Sequence, residues 1–536
     1  AGRATYDLSA AADALPGGLP FGRAAWALPD LVASLARAYA STLAVELDHL
    51  PAADQAWLAA RVETAAAAGP GWGLCAGARK RALTTLAAGS AFESFLGAAF
   101  PRSKRFGIEG LDALAPGLEA AADRFAAAGV TTLQIGTPHR GRLTLLATVL
   151  GTPAGQIMAE MEAAQSEWQV GDVKYHLGKG AALEFLGDGQ SGARLHASVA
   201  PNPSHLEAVA PVVLGMVRAQ QAALGRSAVA ALQVHGDAAF AGLGVVAETL
   251  AMARVPGFNV GGTVHIVANN QVGFTTAPLS ARSSPHATDC ARAAGAPILH
   301  ANADDPDAVI AACKLAADWR AARGRDVVVD VVGYRRRGHN EQDDPSSSSP
   351  ATVAAIGAHP PVLTLYSAKL VGEGVVEAGA AEAAVAAAAA ALDAEHDAFA
   401  AGSYSQTAAD WLKNSWQGDA LASLAAPVGP GGVAQRREPT GLPAATLRMV
   451  GVAACTPPPG FTPPPQAAAA LARRAASLAG DGARVDFATA EALALGSLAL
   501  HRDAVADDNG APGAALSRRP AATPTRAARG AALADA

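Results

Sequence analysis

Residues 229–271 read VAALQVHGDAAFAGLGVVAETLAMARVPGFNVGGTVHIVANNQ. Two short β-rich runs, 229–234 and 263–267, flank a helical window near 245–252. Each run stops at polar residues, His235-Gly236-Asp237 after the first and Asn269-Asn270-Gln271 after the second. The 33 positions from Asp237 to Asn270 fit a strand, a crossover helix and the next parallel strand, which sets both polar groups on one rim of a sheet. An Asp carboxylate, an Asn amide oxygen and a nearby carbonyl such as that of Val272 are hard oxygen donors, suited to an octahedral Mg2+ that also holds a diphosphate. Gly236 and the helix N-terminus beyond it would admit phosphate oxygens. The spacing fits an ordinary strand-end aspartate with an Asn-Asn turn equally well. A dinucleotide fingerprint fits poorly, since G-x-G-x-x-G is absent and Gly242-Leu243-Gly244 stands at the wrong offset.

Outward from this stretch, further β-rich runs at 130–135 and 326–332 alternate with helical windows. Strand, helix, strand succession predicts an α/β domain with a mainly parallel sheet over 130–345, with ligands at the carboxyl ends of the strands. The first 129 residues read as a mainly helical region: Asp30 precedes Leu31, Leu35, Ala38 and Tyr39 at helical spacing, Trp57, Leu58 and Val62 mark a second helix, and Ala-rich windows follow at 77–98 and 111–128. Residues 346–465 read as a helical and Pro/Gly-rich connection, with linkers at 426–443 and 456–465. A second α/β domain is expected to start at 466 and run to 501, and 502–536, aperiodic in Ala, Arg, Pro and Asp, is expected to be disordered.

Composition narrows the function classes. Of 536 residues 51% are hydrophobic but only 5% aromatic, so the apolar excess lies in small side chains. With 41 Lys+Arg against 47 Asp+Glu the net charge is -6, which argues against a nucleic-acid-binding chain. No membrane span is expected, because the Ala-rich run at 384–392 is bracketed by Glu382 and Asp393. Cys75, Cys290, Cys313 and Cys455 form no C-x-x-C, which predicts neither a disulfide framework nor a structural zinc site and suggests a reducing compartment. The chain starts at Ala1 without a signal-peptide pattern, as a processed or incomplete N-terminus would.

Histidines recur in polar settings: Pro138-His139-Arg140-Gly141-Arg142, Lys174-Tyr175-His176, Pro203-Ser204-His205-Leu206-Glu207 and Arg335-Arg336-Arg337-Gly338-His339-Asn340-Glu341. Taken singly, each fits a structural histidine or a solvated basic loop. Together they suit a pocket for a dicarboxylic or phosphorylated anion, since Arg pairs bidentately with carboxylates and His switches between donor and acid/base roles.

The stretches KRFGIEGLDAL, GTPHRGRL, GDVKYHLG, NPSHLEAV, HGDAAFAGLGVVAETL, GGTVHIVANNQVGFTT, ARSSP, DDPDAV, YRRRGHNEQDDP and VDFATAEALALGSL occur in this order from about Leu31 to Leu498. In them the chain resembles the 2-oxoglutarate dehydrogenase family, the thiamine-dependent first component of 2-oxo acid dehydrogenase complexes. QVHGDAAF and ATAEALALGSL are especially similar to its 2-oxoadipate dehydrogenase-like branch. The resemblance implies a transketolase-like thiamine diphosphate-binding domain and oxidative decarboxylation of a 2-oxo dicarboxylic acid. It implies 2-oxoglutarate of the tricarboxylic acid cycle first and 2-oxoadipate of lysine degradation as the alternative. It further implies acyl transfer to a lipoyl-bearing dihydrolipoyl acyltransferase, a homodimer, and a mitochondrial matrix or bacterial cytoplasmic location.

Carried over residue by residue, the resemblance implies Asp237, Asn270 and the Val272 carbonyl as Mg2+ ligands. Arg140, Ser204, Leu206, Gly236 and Ala238 would stand at thiamine diphosphate, His139 and His176 at the substrate pocket, and His339 in the active site. Glu491 would hydrogen-bond the pyrimidine ring and favour the tautomer that removes the C2 proton. Asp344 stands where the family usually has Glu, and His286 where Tyr is common. From Arg502 onward the family's continuation is unmatched, so the pyrimidine-binding domain of 466–501 is expected to be truncated. The chain is then expected to turn over little by itself, as a truncated or misread product, a splice form, or a non-catalytic relative with a binding or assembly role.

Overall fold

The two runs flanking the crossover helix are hydrogen-bonded parallel neighbours in the computed structural model, which describes residues 5–7, 21, 25–162, 176, 178–186, 191–404, 441–479 and 484–508. A small antiparallel pair, β1 (Thr5–Asp7) and β2 (Ala25–Ala27), precedes the main sheet. That sheet comprises β3 (Leu43–Glu46), β4 (Thr132–Gly136), β5 (Lys179–Leu186), β6 (Ser191–Val199), β7 (Val229–Gly236), β8 (Thr263–Asn269), β9 (Ile298–Asn302) and β10 (Val327–Val332). Their order is β3-β9-β10-β8-β7-β4-β6-β5. The inner six strands are parallel and the outer two, β3 and β5, antiparallel.

The inner strands are apolar on both faces because helices cover both. Val327, Val329 and Val331 of β10 join the cluster built on the helices Ala76–Ala99, Leu114–Ala127 and Pro306–Arg323. Val328, facing the other way, packs with Phe240, Val246 and Leu250. Val229 and Ala231 of β7 pack with Val213 and Val217 of the helix Val209–Leu224.

The helical reading of the N-terminal region holds for Leu28–Tyr39, Ala52–Ala67, Ala76–Ala99 and Leu114–Ala127, and the long Ala-rich helix is Ala380–Ala400. Within that region Leu43–Glu46 departs from it, forming the antiparallel edge strand on β9. Four residues are too few to carry a sequence period, and the pairing is set by β9.

The chain divides into two units, Ala1–Ala426 and Pro427–Ala536. The described residues of the second are helical, over Ala444–Cys455, Pro465–Ala479 and Phe487–Asp508, and strands of the expected second α/β domain are not among them. The last 28 residues, 509–536, lie outside the described residues. No helix among the described residues is long and apolar enough to cross a membrane, and all four cysteines are free.

Candidate active site

From β4 the chain first moves to the edge strand β5 and back to β6 on one side, and then crosses to β7 on the other, so the strand order reverses beside β4. Crevices at such reversals, outside the carboxyl ends of the strands, are where α/β sheets hold ligands. An open cavity lies there, lined by residues that follow β4, β6, β7, β8 and β10, including His139, Arg140, Leu206, Gly236, Asp237, Ala238, Asn270, Val272 and His339.

Gly236 pairs with Ala268 in the β7–β8 register, so Asp237 and Asn270 leave neighbouring strands at one rim. Asp237 opens the short helix Asp237–Gly242 and is buried, its carboxylate accepting backbone N–H groups of its own residue and of Ala238. Burial, with a smaller push from Asp330, raises its pKa to about 6 against those bonds and the Arg282 charge. Asn270 Oδ1 accepts the Val272 N–H at 3.2 Å, while Asn269 donates to Asp330 and accepts from Gln271 N. Gln271, at φ +61°, donates its side-chain amide to the Gly333 carbonyl at 2.7 Å, which pins the turn to the end of β10. Gly273 is required: a Cβ there would lie 2.9 Å from that of Ala238. Above Gly236, by contrast, a Cβ would meet nothing within 4 Å, so the floor of the cavity is open beside Asp237.

This donor set fits a hard dication carrying a diphosphate. A buried carboxylate that burial makes reluctant to ionise gains most from a divalent neighbour, and an amide oxygen and open space adjoin it.

The histidine side of the cavity follows β4. Gly141, at φ +70°, brings its N–H to the Phe106 carbonyl at 2.7 Å, and a Cβ there would collide with Ile108. Arg142 is fully buried and donates to the Thr137 and Ala200 carbonyls, tying the ends of β4 and β6 together. Arg140 donates to the Gly107 carbonyl at 3.2 Å and the His339 carbonyl at 2.7 Å. Burial and the nearby Arg335 lower its pKa to about 10, which still leaves it charged at neutral pH. His139 is pushed down to about 3 by burial first and then by Arg140, His339 and His176, so it is a neutral imidazole. His339 is lowered in the same way, by burial and then Arg140 and Arg335. His176 is buried close enough to act on His139, and its carbonyl accepts the Asn202 N–H. Lys174 and Tyr175 lie outside the described residues.

Leu206 lines the cavity, whereas Ser204, exposed on the same loop, does not. Glu491 is exposed on the helix Phe487–Asp508 of the second unit. Its helix begins after Asp486, whose carboxylate caps the Thr489 N–H.

Several residues of the site escape the sequence reading. Phe106, at φ +53°, sets its ring 4.2 Å from His139 and 5.4 Å from His339. Glu341 accepts the backbone N–H groups of Arg105, Phe106 and Gly107, which shapes that loop. Glu207 meets His235 at 2.6 Å, His235 meets His265 at 3.0 Å, and the chain ends on Asp326. Phe106, Glu207 and Glu341 all sit inside the quoted motifs, but only tertiary structure shows what the ring packs on and what the carboxylates hold.

A parallel sheet whose switch point gathers oxygen donors, histidines and a charged, buried arginine is an α/β domain with a crevice whose chemistry suits an anionic ligand. The family model described as dehydrogenase E1 component matches residues 85–405, and the chain belongs to this thiamine diphosphate-dependent family. It is 39% identical over 495 residues to the mitochondrial 2-oxoglutarate dehydrogenase of Schizosaccharomyces pombe, a match covering 90% of this chain and 47% of that protein. It is also 39% identical over 491 residues to the 2-oxoglutarate dehydrogenase E1 component of Brucella anthropi, covering 88% and 47%. The chain spans about half the length of these curated relatives.

Proposed function

We propose that the chain acts in the first component of a 2-oxoglutarate dehydrogenase complex, in the thiamine diphosphate- and Mg2+-dependent oxidative decarboxylation of 2-oxoglutarate. The observation that carries this reading is the register of β7 against β8, which brings Asp237 and Asn270 out side by side beside His139, Arg140 and His339. Asp237, Asn270 and the Val272 carbonyl are assigned to Mg2+, and Gly236 leaves room for the diphosphate. Arg140, Ser204, Leu206 and Ala238 are assigned to the cofactor's surroundings. When bound, thiamine diphosphate supplies a nucleophilic carbon and an electron sink for loss of CO2.

The histidines act on the substrate. His139, being neutral, offers a hydrogen bond rather than a charge; His339 shares that wall of the pocket, and His176, buried and not lining the cavity, is assigned to the substrate side with them. Arg140 contributes positive potential for the carboxylates, its guanidinium fixed by two carbonyls. Glu491 is assigned the pyrimidine ring, where a carboxylate holds the proton that favours the imino form. Domain boundaries at 129, 345 and 465, a homodimer, succinyl transfer to a lipoyl-bearing acyltransferase, and a mitochondrial or bacterial cytoplasmic location belong to the same reading.

The test is calorimetry of thiamine diphosphate with residues 1–536, with and without Mg2+, joined to 2-oxoglutarate-dependent reduction of an artificial electron acceptor. Mg2+-dependent binding that Asp237→Ala abolishes supports the assignment. Unchanged affinity in that variant overturns it.

A further inference from the structure

Outside the cavity, three donor-bearing side chains converge at the other edge of the sheet: Glu46 at the end of β3, His300 in the middle of β9, and His286 on the segment between β8 and β9. One ligand atom from each lies within 4.8 Å of the other two. The Glu46 Oε1 and His300 Nε2 atoms are 2.6 Å apart, and the His286 and His300 rings stand 4.6 Å apart.

We infer that Glu46, His286 and His300 form a binding site for a second, borderline divalent metal of the Zn2+ type, separate from the Mg2+ assigned to Asp237 and Asn270. Two imidazoles and one carboxylate are a donor set for Zn2+, with a fourth position left to water. The arrangement around them matches what such a site needs. His300 pairs with Asp330 in the β9–β10 register, and Asp330 Oδ2 meets His300 Nδ1 at 2.9 Å. A carboxylate on the far nitrogen fixes the ring and its tautomer, directing Nε2 to the metal. Arg292 binds the other oxygen of Glu46, Oε2, and reaches Asp48, which holds the carboxylate with Oε1 towards the imidazoles. Its cationic charge opposes a dication, Asp48 partly balances it, and Asp289 adjoins through the His286 N–H.

The geometric adjustment is small. Donor atoms about 2.0–2.1 Å from a tetrahedral Zn2+ stand about 3.3 Å from one another. Glu46 and His300 must therefore open by about 0.7 Å from their direct hydrogen bond. His286 is exposed, so its ring can turn inward without disturbing the core. His286 and the start of β9 are joined by a short stretch, and Arg282, whose charge acts on Asp237, stands four residues before His286. Metal at this edge would clip the 282–289 segment to the sheet beside the cavity rim. The inference is independent of the reaction proposed above.

The experiment is a titration of the full, chelator-treated chain with Co2+, read by visible absorption, followed by displacement with Zn2+. The expected result is one equivalent of Co2+ with the intense spectrum of a low-coordinate ion, displaced by Zn2+. His286→Phe keeps the ring contact and removes the nitrogen, and should weaken binding at least about tenfold. Glu46→Gln should weaken it likewise, and Asp237→Asn should leave it unchanged. A Co2+ spectrum no different from that of the aqueous ion, or equal binding in His286→Phe, would overturn the site. Loss in Asp237→Asn alone would do so too, by assigning the bound metal to the cavity.

Discussion

The Phe106 ring packs 4.2 Å from the His139 ring, and the loop that puts it there hangs on Glu341. A single carboxylate takes up three backbone N–H groups, at 2.6, 3.2 and 2.9 Å, from consecutive residues. Those bonds hold the Glu341 pKa below the ordinary carboxylate range although burial acts the other way. Glu341→Ala leaves the three donors without their acceptor, and the expected loss is about 2–4 kcal/mol of stability, less than the sum of separate charged hydrogen bonds because they share one acceptor. Denaturant unfolding measures it, and calorimetry should show weaker thiamine diphosphate binding as His139 and His339 lose the Phe106 ring packed against both. Stability equal to that of the parent would show that the loop holds itself.

Arg142 carries a second prediction. Its guanidinium is fully buried and donates to the Thr137 and Ala200 carbonyls at 2.9 and 2.7 Å. Burial lowers its pKa to about 9, so the cation persists at neutral pH, and the two carbonyls are among the groups that hold it. Arg142→Met fills most of the volume but leaves both carbonyls unmatched. An expected loss of about 2–4 kcal/mol follows, with His139 and Arg140 displaced because the turn between β4 and the next helix loses its anchor. A midpoint of unfolding unchanged in denaturant would refute this.

The rim of β7 and β8 was legible because each strand is an apolar run that stops at polar residues, and the crossover between them has ordinary length. Other strands were not. β5 reads KGAALEFL, in which Lys, Ala, Leu and Glu favour a helix, and it is a strand through antiparallel pairing with β6, so tertiary contact overrides propensity. β9 reads ILHAN, too short to show a period, with His300 at its centre held by Asp330 and Glu46. In the site, the motif histidines and the Gly-Asp and Asn-Asn pairs could be named from sequence. Phe106 could not, because its place beside His139 depends on a positive φ in a loop whose N–H groups are taken up by Glu341, distant in sequence.

The pH dependence of stability should fall with rising pH through neutrality, and Glu93 is a main cause. It is buried, accepts the Ile108 N–H and the Thr144 hydroxyl, and is pushed up to about 7 by burial above all, with Glu109 adding to it. Its folded pKa exceeds the unfolded value of 4.5, so between the two the native state holds more protons than the unfolded chain. Stability from neutral Glu93 is thus fully present below about pH 4.5 and is lost as pH rises through about 7. Glu93→Gln keeps an acceptor and cannot ionise, so it should be more stable than the parent at pH 8, by on the order of 2–3 kcal/mol. Glu119, also raised to about 7, and Asp112, raised to about 6, keep part of the slope in the variant. Parallel stability curves for the two proteins from pH 5 to about 8.5 would exclude Glu93 as the source.

The last prediction concerns substrate choice. His139 has its pKa at about 3, so it stays a neutral imidazole throughout the range in which the protein can be assayed. Under the proposed function, its part in recognising a distal carboxylate is therefore a hydrogen bond, while the positive charge comes from Arg140. A monocarboxylic 2-oxo acid lacks the group this hydrogen bond would meet, a difference worth roughly 1–3 kcal/mol. His139→Phe should raise KM for 2-oxoglutarate by about tenfold to a hundredfold and change that for a monocarboxylic 2-oxo acid much less. His139→Asn, which keeps a donor, should recover part of the loss. Because His139 does not titrate near neutrality, the kcat/KM profile should show the same limbs in the parent and in His139→Asn between pH 6 and about 8. A limb near pH 6.5 that disappears in His139→Asn would mean that the imidazole is protonated in the free protein, and that it recognises the carboxylate by charge.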